Sequence, residues 1–291
     1  MIVERSAKRI AANASLFYAE EAWPVLIEKV LFPILCSYER YEGFGYIVHF
    51  STDRGDGIHV TIFSNEKRQL SEILSKIKDN ASLFFSNTPS RIVRQSRFLP
   101  MFANFNNNSV HFGIHLFLPK APYTSSGVYL SVWEKVSMTL LKQLAKTDFS
   151  LENLFWLAIQ IILLLSLKSD KFRMGLIKNI KEQSRTGNIP DIFEQRYKES
   201  QRLLNEIMND SLSMRDGKFD DENTFINQIC LEVEFLEGSD VKGGINPEIM
   251  DVEIVLFIVI NLRTILGYNL SNSLLADFFL YRTLQDYPNR L

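Results

Sequence analysis

Two alternating runs, Tyr46-Ile47-Val48-His49-Phe50 and Ile58-His59-Val60-Thr61-Ile62, constrain this chain more tightly than any other feature. Strand-favouring residues at period two on both sides of Thr52-Asp53-Arg54-Gly55-Asp56-Gly57 predict a β-hairpin. A turn centred near Arg54 pairs Phe50 with Ile58 and Val48 with Val60. Tyr46, Val48, Phe50, Ile58, Val60 and Ile62 then form an apolar face. The opposite face carries Ile47, His49, His59 and Thr61, and with them half of the four histidines in the chain.

The flanking sequence predicts helices before and after this hairpin. Residues 14–40 carry Leu26, Ile27, Val30, Leu31 and Leu35 at helical spacing, with Pro24 in the first turn and Pro33 as a kink. Residues 65–85 place Leu70, Ile73, Leu74 and Ile77 on one stripe of an amphipathic helix. Residues 90–120 combine extended apolar pieces with an Asn-rich turn, His111, His115 and Pro119. From about Val128 the pattern is almost wholly helical. One helix follows Pro190 with Asp191 in its first turn, and an apolar one runs from Ile249 to Leu266 after Asn246-Pro247-Glu248. Gly267 stops that helix before a final one, Ser271 to Leu284. The fold class is therefore α+β: one unit, 1–291, with a mixed sheet and helices over about 1–127 packed on a largely α-helical part, about 128–291.

Composition narrows the function classes. Of the 291 residues, 46% are apolar and 23% charged, which excludes a wholly disordered chain. The formal net charge of −2 argues against a broad nucleic-acid surface. Cys36 and Cys230 lie far apart and in no metal-ligand spacing. Without a secretory signal they read as reduced core thiols in a cytoplasmic protein. The apolar run Leu154 to Leu167 is fourteen residues, contains Gln160 and lies between Glu152 and Lys168. A membrane span needs about 20 apolar residues, so this run reads as a core helix.

Motifs for known chemistries are absent. There is no phosphate-binding Gly-rich loop, no dinucleotide fingerprint, no Gly-x-Ser-x-Gly elbow and no His-Glu-x-x-His. His111-x-x-x-His115 has a helical chelating spacing. Its surroundings alternate like a strand, and no cysteine or paired carboxylate stands near, so no metal site is expected. Both cysteines sit in apolar surroundings, the setting of inert thiols. The His49/His59 face remains the most informative feature. Its bland alternative is a pair of partly exposed histidines on an ordinary sheet.

At the hairpin, "YIVHFSTDRGDGIHVTIF" resembles a family pattern of a strand with an Arg, an aromatic, an Asp/Gly/Pro turn and then His-x-Arg-x-Arg. That family comprises lanthipeptide dehydratase C-terminal domains and their stand-alone relatives in thiopeptide biosynthesis. His59 takes the family His; His49 stands where the first Arg would be, and Thr61 and Phe63 where the next two would be. "FLPMFANFNNN" is similar in position to Tyr-x-Pro-Glu followed by Arg-Tyr-Gly-Gly, keeping Pro100 and the aromatic character of Phe98 and Phe105. "VINLRTILGYNLSNSLLADFFLYRTL" is similar to the terminal His-Met-x-x-Asn-Arg-Leu-x-Gly segment and closing helix. It keeps Gly267, while Val259 replaces the His and Arg263-Thr264 replace Asn-Arg. The matches span nearly the whole chain in order.

The resemblance implies an enzyme acting on a modified precursor peptide with its leader, alongside the other enzymes of such a pathway. The full dehydratases remove glutamate from glutamylated Ser or Thr, which calls for arginines to hold carboxylates; the hairpin here has lost them. The stand-alone pyridine synthases join two dehydroalanines in a formal aza-[4+2] cycloaddition, then lose water and leader. That chemistry needs no cofactor. It needs positioning in an apolar pocket and a few proton-moving groups. The candidates are His59, His49, Thr61 and Tyr268 for proton transfer, and Tyr46, Arg54, Arg263, Phe98 and Phe105 for holding substrate. The alternatives are a glutamate-elimination partner using Arg54 or Arg94, or a non-catalytic peptide-binding scaffold. Oligomeric state is not encoded in any of these features.

Overall fold

The computed structural model describes residues 9–52, 54–90, 105–114, 117–119, 126–184, 191–218, 224–238, 247–268 and 270–286. The chain groups into two compact units. One comprises Met1–Pro119, Gly127–Leu154 and Thr264–Asn269; the other comprises Lys120–Ser126, Phe155–Arg263 and Leu270–Leu291. The class is α+β, as the sequence predicts.

Strands β1 (Ile10–Phe17), β2 (Gly45–Ser51), β3 (Gly57–Ser64) and β4 (Ser109–Phe112) form an antiparallel sheet of order β2-β3-β1-β4 in the first unit. The hairpin register is the one the alternation dictates: Phe50 faces Ile58, Val48 faces Val60, and His49 faces His59. The sequence reading misses β1, because residues 14–17 look like the start of a helix. They are instead in a central strand, between β3 and β4. Ala14, Ser15, Leu16 and Phe17 are all buried, so both faces of β1 are covered and no hydrophobic alternation marks it.

The helix expected over 14–40 begins later, with a 3₁₀ turn at Glu20–Ala22 leading into α1 (Trp23–Leu26). A π turn, Ile27–Leu31, precedes α2 (Phe32–Tyr38), and Pro33 is in the first turn of α2. Proline lacks an N–H, and its ring clashes with the carbonyl four residues back, so the ladder widens just before it. On the apolar face of the sheet, the Trp23 and Phe50 ring centroids are 5.3 Å apart. Helix α3 (Lys67–Asn87) lies against β1, β3 and β4 and buries Leu70, Ile73, Ile77, Ala81 and Phe85, its predicted stripe extended by two turns.

The free edge of β2 meets α4 (Ser126–Leu144). The Val48 amide donates to Ser137 Oγ at 3.3 Å, so Val48 points its backbone away from β3. In an antiparallel pair this makes the Val48–Val60 couple the non-hydrogen-bonded one and the flanking His49–His59 couple the hydrogen-bonded one. At the start of β2, Gly45 sits so close to the Glu134 carboxylate that a Cβ would lie 2.5 Å from it. Arg9 grips that carboxylate through both oxygens, at 2.7 and 3.0 Å.

The second unit takes its helices from α5 (Leu151–Lys168), α6 (Asp170–Ser184), α7 (Asp191–Arg215), α8 (Thr224–Gly238), α9 (Pro247–Ile265) and α10 (Leu270–Asp286). Helix α5 exceeds the fourteen residues expected from the apolar run. At 18 residues and a mean hydropathy of 1.6, it is long and apolar enough to cross a membrane, yet 61% of it is buried. Ile159, Ile162, Leu163 and Leu164 have no exposed surface, which is the burial of a core helix. Cys230 is a core thiol as expected. Cys36 is half-buried beside Glu39, where burial first and the neighbouring carboxylate second push the thiol up to about 11. Neither sulfur has the electropositive setting that makes a nucleophile.

Candidate functional site

Sheet register carries the hairpin's polar face across all four strands. Ile47 on β2 lines up with Thr61 on β3 and Asn13 on β1. The next row is His49, His59, Ser15 and, on β4, His111; the row after it is Ser51, Gly57, Phe17 and Ser109. Residues directly opposite one another share a face, so three of the four histidines stand in one line. Asn13, Ser15 and Phe17 belong to the strand that was misread. Asn13-Ala14-Ser15-Leu16 is their one local trace, and Ile10-Ala11-Ala12 before it and Phe17 after it break any sustained alternation. His111, whose spacing to His115 suggests a chelating pair, instead joins the same face; His115 lies outside the described residues.

This face is dry. His49 is 7% exposed, His59 1% and Thr61 0%, which rules out the partly exposed surface pair. The two imidazoles lie 4.8 Å apart at a 31° tilt. Phe117 covers His49 at 5.3 Å, and its amide donates to Thr61 Oγ1 at 3.0 Å, so Thr61 pins the residue that covers His49. Phe17 meets the His59 ring edge-on at 5.6 Å. A Cβ at Gly57 would stand 3.0 Å from His59 Cε1 and Nε2, so a side chain there would press the imidazole out of place. Below the row, Ser15 donates to Asn13 Oδ1 and Asn13 Nδ2 donates to the Val60 carbonyl, each at 3.2 Å.

The substrate-binding candidates divide. Arg54 is in the hairpin turn with its guanidinium 4.3 Å from the Phe105 ring centre, and its carbonyl accepts from the Phe105 amide at 3.0 Å. Phe105 in turn stacks on Phe17 at 4.5 Å. Together they form a three-layer cation and aromatic stack at the end of the imidazole row. Tyr46 is on the opposite, apolar face, fully buried. Its hydroxyl donates to Glu39 at 3.1 Å, and burial, then Glu39, raises its pKa far above the ordinary phenol value. Arg263 is in the second unit, buried, with its guanidinium on Asp277 at 2.7 Å across α9 and α10. Phe98 and Arg94 lie outside the described residues.

Tyr268 is half-buried and follows Gly267, which ends α9 as the sequence predicts, with φ +81°. A Cβ on Gly267 would stand 3.0 Å from Leu151 Cδ2 and 3.1 Å from Phe50 Cβ. Glycine is thus required both for the backbone turn and for the approach to Phe50 on the apolar face of β2, the face opposite His49. Among the described residues, no group of three or more His, Cys, Asp or Glu is arranged to hold a metal ion.

No protein-family model matches the sequence, and a search of curated proteins finds no match. Solved structures do match. The pyridine synthase TbtD from thiomuracin biosynthesis aligns with a TM-score of 0.63 at 12% identity, over 95% of this chain and 98% of its own. TsrL aligns with a TM-score of 0.59 at 10% identity, over 97% and 96%. The tRNA-dependent lantibiotic dehydratase MibB from Microbispora sp. 107891 aligns with a TM-score of 0.51 at 12% identity. It covers all of this chain, which spans 29% of the dehydratase. At these identities the likeness is one of fold.

Proposed function

We propose that a chain with this fold and this imidazole face closes the pyridine-type macrocycle of a thiopeptide, from two dehydroalanines of a modified precursor peptide. The observation that carries the reading is the His49–His59 pair, adjacent and buried, with Phe117 against His49 and Phe17 against His59. A formal aza-[4+2] cycloaddition starts when an amide becomes its iminol, a proton leaving nitrogen while one arrives on oxygen. An adjacent donor and acceptor suit that shift. Two imidazolium charges 4.8 Å apart would repel by about 3 kcal/mol at an effective dielectric of about 20. The aromatic lining of Phe17, Phe105 and Phe117 suits azole-rich peptide, and positioning supplies much of the acceleration. Tyr268 follows Gly267, which meets β2 at Phe50 on the face opposite the imidazoles, and it stays a proton-transfer candidate on the family resemblance alone. The fold likeness supports the reading, because it runs the length of a pyridine synthase.

A second reading rests on Arg54. Stacked at the end of the imidazole row, it is a cation able to hold a glutamyl carboxylate, so glutamate elimination is the rival. Incubation with a dehydrated, azole-containing precursor peptide, followed by mass spectrometry, separates the readings. Macrocycle with released leader supports ring formation. Loss of glutamyl adducts supports elimination. Peptide bound but unchanged points to a scaffold.

A further inference from the structure

We propose that His111 is a third proton-transfer group of this face, serving the elimination stage of the ring-forming reaction; this rests on the reading above. Three observations support it. First, Ser15 pairs with His59 on one side and with His111 on the other, so both imidazoles project from the same side of the sheet in one row. Second, both rings meet Phe17 edge-on, His59 at 5.6 Å and His111 at 5.7 Å, and Phe105 adds a contact to His111 at 4.8 Å. The two imidazoles thus flank one aromatic ring. Third, the protonation pattern of His111 is readable from its partners. Ser109 Oγ lies 3.0 Å from His111 Nε2, and the same hydroxyl donates to the Asn106 carbonyl. A serine hydroxyl has one proton to give. With that proton on Asn106, Ser109 accepts from His111, so Nε2 carries the hydrogen. Nδ1 is left as the accepting nitrogen, and no hydrogen bond to it is made among the described residues.

Burial divides the labour along the row. His59 is 1% exposed, whereas His111 is only half-buried, on edge strand β4. The iminol shift benefits from the dry pair. After the cycloaddition, water and then the leader must leave. In each elimination a ring proton is taken by a base as the C–O or C–N bond breaks. A proton is placed on the departing oxygen or nitrogen, and no oxidant is needed. A base with one nitrogen fixed as donor, the other accepting, and a path to bulk water fits this stage better than a sealed pair.

The test uses the full chain and the dehydrated, azole-containing precursor peptide. His111→Phe keeps an aromatic ring against Phe17 and Phe105, and His111→Gln keeps a donor toward Ser109 without a base. Both are compared with the parent for Tm, peptide KM and the kcat of leader release. The expected result is leader release slowed by about 10²-fold in both, with KM and Tm close to parental. Cyclised adduct still carrying its leader should accumulate. Parental kcat in either variant, with the parent active, overturns the role of His111 and leaves the ring-forming reading intact. A parent that makes no ring overturns both. Imidazole ¹⁵N shifts give a check apart from turnover. His111 should be the Nε2–H tautomer in the parent, and an Nδ1–H tautomer overturns the assignment.

Discussion

His59 is closely packed, with Gly57 beneath it, His49 beside it and Phe17 at its edge. Such packing makes a mutation ambiguous unless volume and chemistry are separated. His59→Phe preserves most of the volume and removes the proton-carrying nitrogens, whereas His59→Ala removes both. If His59 moves a proton, both variants lose turnover by about 10²-fold or more, with little change in peptide affinity. If confinement alone drives cyclisation, only the Ala variant slows, and a Phe variant within a few-fold of the parent removes His59 from the catalytic set. A different residue tests the packing itself. Tyr129 on α4 is fully buried, burial pushes its phenol up to about 12, and its hydroxyl has no hydrogen-bond partner among the described residues. An unpaired buried hydroxyl costs about 1–3 kcal/mol. Tyr129→Phe should therefore raise stability by about 1 kcal/mol in denaturant unfolding, and a loss would mean that the hydroxyl is bonded in solution.

Where one element meets another, short-range patterns stop being informative. The hairpin was legible because turn chemistry and alternation are local, and the helices from α4 onward because their periodicity is long. Strand β1 was not, because a central strand packed on both faces shows no alternation of hydrophobicity, and Ala, Asn and Ser carry weak strand preference. The polar half of the site was lost with it: Asn13 and Ser15 have no meaning until β3 and β4 lie beside them. The junction of β1, β2 and α4 at Glu134 is equally non-local, and it makes a pH prediction. Burial raises the Glu134 carboxyl above its ordinary value more than Arg9 lowers it. The folded state then holds this proton more tightly than the unfolded one. Its contribution is full below the ordinary glutamate range and is lost as pH rises through the folded value. Thermal unfolding of the parent minus that of Glu134→Gln should therefore decline as pH rises from about 4. A difference that grows instead would mean the Arg9 attraction outweighs burial.

For the whole molecule, the described part of the site is confined to one unit. The imidazole row, its aromatic cover, Arg54 and Tyr268 all belong to the sheet-containing unit. A precursor peptide, however, is much longer than two reacting alkenes and their neighbours. Its leader is remote from them in sequence, so leader capture and ring closure have no physical reason to share residues. Strand addition at an exposed sheet edge, or docking along an amphipathic helix such as α3, would give the leader affinity through contacts that no step of the chemistry uses. Tethering then raises the effective concentration of the reactive core at the imidazole face, without any stronger contact to the core itself. On this view, deleting the leader should weaken peptide binding by more than about 10-fold in calorimetry, while His59→Phe and His111→Phe leave full-length peptide affinity within a few-fold of the parent. The free leader added in excess should compete with the full peptide and slow ring formation through KM rather than kcat. Equal affinity for the leaderless core would mean that the aromatic-lined face does all the recognising. In that case truncating Phe105 or Phe117, not the leader, would be what releases the peptide.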